Sequence, residues 1–160
     1  MTHEAVLAEA DALERPVPGL YRSSARLVSF EMPGLPPAEA DRFRERFGGM
    51  DTQDAQRCIT RQESEDGFED LLRTIGEGVN GMQCAFERFD TDPPKLDAVL
   101  SCQGNPAMQA EIAFNGTAAG EELALVMDMQ ASSPVIPGSS MKMQFDVSAR
   151  RVGECPEPAA

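Results

Sequence analysis

The feature that most limits how this chain can fold is a two-residue rhythm of apolar side chains through its second half. "MQAEIAFNG" sets Met108, Ala110, Ile112 and Phe114 against Gln109, Glu111 and Asn115, and "EELALVMDMQ" does the same with Leu123, Leu125, Met127 and Met129. After the loop "ASSPVIPGSS", "MKMQFDVSAR" alternates Met141, Met143, Phe145, Val147 and Ala149 with Lys142, Gln144, Asp146, Ser148 and Arg150. Successive strand side chains point to opposite faces, so each segment reads as a half-buried strand with one dry and one wet face. Upstream, "CAFERFDTDPPKLDAVLSC" carries a cysteine at each end and turn chemistry in "DTDPPK". Setting Cys84 opposite Cys102 places Phe86 opposite Leu100 and Arg88 opposite Ala98, all on one face of a hairpin. A register that pairs Met127 with Met143 and Met129 with Met141 gathers the methionines at one end.

The first half supplies an earlier strand and two helices. "LYRSSARLVSFEM" reads as a strand through Leu27, Val28 and Phe30. Pro36 and Pro37 then open a helix whose acids, Glu39 and Asp41, lie near its positive end, with arginines near the other and Gly48 and Gly49 as its stop. Those arginines read as a solvated face rather than a ligand clamp. Thr60 and Glu63 have capping-box spacing, and Phe68, Leu71, Leu72 and Ile75 form the stripe of a second helix. The expected fold is α+β: a twisted antiparallel β-meander of about six or seven strands that can curl into a partial barrel, covered by one or two short helices and stapled by disulfides. Residues 1–17 read as a flexible tether or frayed helix, 18–155 as a single domain and 156–160 as a tail.

Charge and cysteine content set the compartment and exclude several functions. The 160 residues carry 14 Lys and Arg against 27 Asp and Glu, a net −13. That field repels phosphate backbones and anionic bilayers, so nucleic acid is not an expected partner. No stretch approaches the roughly 20 apolar residues of a membrane-spanning helix. Four cysteines without a Cys-x-x-Cys pair point to disulfides rather than zinc or thioredoxin-type chemistry. The hairpin register selects Cys84–Cys102 and leaves Cys58–Cys155. These features point to an exported protein, with its signal expected upstream of Met1 because "MTHEAVLAEADALERPVPG" has neither a basic start nor an apolar run.

Little else in the chain carries chemistry. The only histidine, His3, lies in the N-terminal stretch, so Ser-His, Cys-His and histidine-based metal sites lack their base or ligand. "DTD" at 90–92 resembles a fragment of a calcium loop without its later Gly and Glu, and "NGT" at 115–117 reads as an Asn-Gly turn between strands rather than a glycosylation site. Met108, Met127, Met129, Met141 and Met143 remain as a candidate ligand-binding set. Thioethers suit Cu(I), but adaptable apolar surface is their commoner use, and a Met-rich, aromatic-poor concave face also suits an apolar ligand such as a lipid chain.

The order "PGLY" before a strand, "MPGLPP", "CIT" entering a helix, two middle cysteines around a hairpin and a closing "GEC" resembles the domain-of-unknown-function 3617 family over Pro18 to Cys155. Members of that family are small exported proteobacterial proteins, often with Trp where Tyr21 stands and an aromatic where Arg151 stands. The resemblance implies an envelope location, in some members through a lipidated N-terminal cysteine, and assigns no catalytic residues. The expected function is therefore a non-enzymatic envelope module, periplasmic or lipoprotein-type, with no cofactor and no resident metal. It binds an envelope protein or, as the alternative, carries an apolar small molecule in its Met-rich face.

Overall fold

The alternating segments assemble into one antiparallel sheet, seen in a computed structural model that describes residues 1–47, 52–67, 81–104 and 107–156. In chain order the elements are α1 (His3–Ala10), β1 (Gly19–Glu31), α2 (Pro37–Phe47), β2 (Thr52–Ile59), α3 (Arg61–Asp66), β3 (Gln83–Asp92), β4 (Lys95–Gly104), β5 (Met108–Ala118), β6 (Glu122–Ser132) and β7 (Ser140–Gly153). The seven strands are ordered β2-β1-β7-β6-β5-β4-β3, so β3 to β7 form a meander and β1 returns to pair with β7. The sheet is open, with β2 and β3 at its two edges.

Two single-residue irregularities let this pattern bury its apolar residues. β1 shifts register between Leu27 and Ser29, so Leu27 faces Phe145 and Phe30 faces Met143, while Val28 is left 39% exposed. β3 shifts between Phe86 and Arg88. Phe86 therefore lies opposite Leu100 as expected, but Arg88 faces Val99 and it is Phe89 that faces Ala98. The bulge turns Arg88 outward and places Phe89 in the core, 6% exposed, edge-on to Phe86 at 5.2 Å between centroids. Strict alternation gives Arg88 the inward position instead.

The expected Asn-Gly turn is also corrected. Asn115 and Gly116 lie within β5, opposite Asp97 and Leu96 on β4 and Val126 and Leu125 on β6. Gly116 is needed there because a Cβ would collide with the carbonyl oxygen of Ala124 on β6. The β5–β6 turn comes later and is closed by Ala119 N–H donating to the Glu122 carbonyl at 2.8 Å.

Upstream, α2 occupies its predicted span. Thr60 caps α3, its hydroxyl accepting from Glu63 N–H at 3.1 Å. The stripe Phe68, Leu71, Leu72 and Ile75 lies outside the described residues. The edge strand β2 is unexpected, because "QRCIT" reads as a helix entrance and "TQDAQRCI" carries no apolar alternation.

The N-terminal stretch, read from sequence as a tether or frayed helix, forms α1 and is docked. Val6, Ala10 and Leu13 are 3%, 2% and 4% exposed. Their i, i+4, i+7 spacing gives one apolar stripe, which is short enough to be masked by the surrounding Ala and Glu. The segment after α1 is pinned to the β5–β6 turn and to α3. Val17 N–H donates to the Gly120 carbonyl at 2.7 Å, Gly120 N–H donates to Glu14 Oε2 at 2.9 Å, and Arg15 donates to the Glu65 carbonyl at 2.8 Å.

Candidate functional site

One face of the sheet carries two apolar clusters, which together span the strands from β3 to β1. Beneath α2, Phe30, Met32, Met143 and Phe145 are buried, with Leu35 and Phe43 packed against them from the loop and the helix. Beneath α1, the buried set is Phe86, Phe89, Ala98, Leu100 and Cys102, joined by Val6 and Ala10. Between the helices run half-buried residues of β5 and β6, Ile112 beside Met129 and Phe114 beside Met127.

The structure brings four of the five candidate methionines into the α2 cluster: Met143 is buried, and Met127, Met129 and Met141 pack around it half-buried. Their register differs from the expectation by two residues, since Met129 faces Met143, Met127 faces Phe145 and Ala131 faces Met141. The β6–β7 connection folds back on itself, with Ser133 N–H donating to the Ser139 carbonyl, and this sets the longer offset. Met108 shares the face but sits at the end of β5 opposite Gly104, outside the cluster. Met32 joins the cluster at 4% exposure. The "MPGLPP" turn around it carries no periodicity by which its burial could be read.

All four cysteines are paired as the hairpin register selects. Cys84–Cys102 links β3 to β4 across 18 residues, and Cys58–Cys155 links edge strand β2 to the chain just beyond β7 across 97. No free cysteine remains. Any soft metal would thus have to be held by thioethers. Among the described residues no group of three or more His, Cys, Asp or Glu is arranged to hold a metal ion.

Tyr21 is a buried polar tie outside both clusters. It is 7% exposed, and its hydroxyl lies 2.6 Å from the Val17 carbonyl oxygen and 2.8 Å from that of Gly120, tying the β1 entrance to the β5–β6 turn. Burial pushes its phenol above the ordinary value, with the Arg151 charge opposing. Tyr21 and Arg151 are cross-strand partners on β1 and β7. Arg151 Nε also donates to the Pro18 carbonyl at 3.0 Å.

The opposite face is wet and mixed in charge. Asp90 and Asp97 lie directly opposite across the hairpin, and Arg88 holds both, its guanidinium 3.5 Å from Asp90 and 2.8 Å from Asp97. That pairing engages Asp90, the first acid of "DTD". A cleft of about 530 Å³ opens beside them, lined by residues such as Asp92, Lys95 and Thr117. A second of about 280 Å³ runs across Ser101, Glu111, Gln130 and Lys142. Neither gathers an unpaired buried polar atom: every buried side-chain nitrogen or oxygen among the described residues has a partner. No helix among the described residues is long and apolar enough to cross a membrane.

Comparison with known proteins found no match among curated proteins and none among solved structures. The family model described as "Protein of unknown function (DUF3617)" matches residues 16–155. That span contains every strand of the sheet, α2, α3 and both disulfides, and excludes α1. By this match, the chain belongs to the DUF3617 family of proteins of unknown function.

Proposed function

We propose that this chain is an exported, non-enzymatic binding domain of the bacterial cell envelope, and that its working surface is the Met-rich half of the apolar face. The observation that carries the proposal is the concentration of Met127, Met129 and Met141 around buried Met143, half-buried on the side of the sheet that packs the core. Unbranched thioether side chains repack around differently shaped partners at small rotameric expense, which suits a surface that binds by contact. Two disulfides with no free thiol support an oxidising compartment. An envelope anchor of the lipidated-cysteine kind fits the same reading.

The second reading is a carrier for an apolar ligand such as a lipid chain. It is favoured by the way Ile112 and Phe114 continue the methionine floor across β5. One experiment separates the two. Photoreactive methionine is incorporated in cells, and products cross-linked at Met127 and Met129 are identified by mass spectrometry. A recurrent envelope-protein adduct supports the first reading, and a lipid adduct supports the second. Cross-links confined to the protein itself refute both.

A further inference from the structure

The second cluster of the apolar face points to a different kind of contact. Its floor, the edge-on pair Phe86 and Phe89 with Ala98, Leu100 and Cys102, lies wholly within the residues that define the family domain. Its cover does not: α1 spans His3–Ala10, upstream of the matched residues 16–155. Without α1 these residues would form a contiguous apolar patch of the type that marks interaction surfaces. We propose that this groove is a helix-docking site, that α1 is its resident and displaceable occupant, and that its partner in trans is a short amphipathic helix presenting the same apolar stripe.

The seat is built for a helix. Val6 and Ala10, one turn apart, are the residues that enter the cluster, with Leu7 packed beside them. At the helix's end the Thr91 hydroxyl reaches the Glu9 carboxylate at 2.9 Å and the Glu9 carbonyl at 3.2 Å, a polar clamp supplied by β3. The occupant holds its shape only while seated, because an eight-residue helix is too short to persist alone in water. It is also separable from the chain on its C-terminal side. Asp11 and Ala12 are exposed, Leu13 is buried with its N–H donating to the Ala10 carbonyl at 3.0 Å, and residues 14–17 are hydrogen-bonded to the β5–β6 turn at Gly120 and to α3 at Glu65. Release of the helix through Leu13 therefore leaves residues 14–17 in place, and the groove opens without unfolding the sheet. This inference does not depend on the Met-rich half, which is a separate cluster.

The test uses a fluorescent peptide of residues 1–13 and the full chain in three forms. In Ala8→Gly the change falls on the exposed side of α1, leaves the groove untouched and weakens the helix by an amount equivalent to about fivefold in the docking equilibrium. V6D/A10D expels α1 outright. The peptide is expected to bind A8G about fivefold more tightly than the unaltered chain, and V6D/A10D at least tenfold more tightly. A peptide carrying V6D/A10D itself should bind none of them. Equal affinity for the unaltered chain and A8G would overturn the proposal, as would equal binding of the altered peptide. So would absence of binding to a V6D/A10D chain that keeps both disulfides and native circular dichroism. If V6D/A10D does not fold, the A8G comparison decides alone.

Discussion

Removing the Cys58–Cys155 bond by C58A/C155A substitution is expected to lower stability by about 4.5 kcal/mol, and the magnitude comes from where the bond sits. The closed loop spans 97 residues, but Cys84–Cys102 already shortens the unfolded chain inside it by 18. Loop-closure entropy for the remaining length gives about 4.5 kcal/mol, against about 3 kcal/mol for the inner bond alone. The outer bond has a further role in the folded state, because β2 is an edge strand paired only with β1, and Cys58 sits near its end. Urea titration should show the midpoint falling and the slope rising, since the unlinked unfolded chain exposes more surface. In calorimetry the loss corresponds to a fall of about 10–15 °C for a chain of this size. A loss below about 1 kcal/mol, or an unchanged denaturant slope, would refute the entropic reasoning. The sum bears on compartment: without both bonds the chain forfeits about 7–8 kcal/mol, comparable to the whole stability of an ordinary domain, about 5–15 kcal/mol. A reducing environment would leave it marginal.

Further outcomes are open to direct measurement. Phe145, 2% exposed between Leu27 and Met127, should cost about 3–5 kcal/mol on truncation to Ala, whereas half-buried Met127→Ala should cost about 1–2 kcal/mol; equal losses would make Met127 core rather than working surface. Tyr21 is the only tyrosine and there is no tryptophan, so absorbance at 295 nm tracks its ionisation alone. Its folded pKa is raised by burial, so its contribution is fully present below the unfolded value near 10 and is lost as pH rises through the folded one. Stability measured across that alkaline window should fall, and Tyr21→Phe should remove that component; an unchanged slope in the variant would contradict the assignment. Gly116→Ala, which drives a Cβ into the Ala124 carbonyl, should cost about 1–3 kcal/mol by thermal melting, and a neutral result would show that β6 can move aside.

The legible and illegible parts of the sequence divide along a physical line. The strand rhythm from Met108 to Ala149, the Thr60 cap and the hairpin register at Cys84 and Cys102 rest on local geometry, and they stand in the structure. Departures begin wherever the period of two is interrupted. The bulge in β3 moves Phe89 inward and Arg88 outward, and the one in β1 exposes Val28 so that Phe30 can meet Met143. A bulge inserts one residue into one strand only, so it is specified by the neighbouring strand and leaves no mark in its own sequence. The methionine register slips for a different reason, since β6 and β7 pair without a bulge and their offset goes with the way their connection folds back at Ser133 and Ser139. The α1 stripe is subtler. Val6 and Ala10 are weak apolar signals among acids and alanines, and they acquire meaning only beside Phe86 and Phe89, some eighty residues away in sequence. A surface that binds a short helix is therefore the part of this fold least visible in the chain, because both the stripe and its seat look ordinary until the hairpin bulge has turned Phe89 toward it.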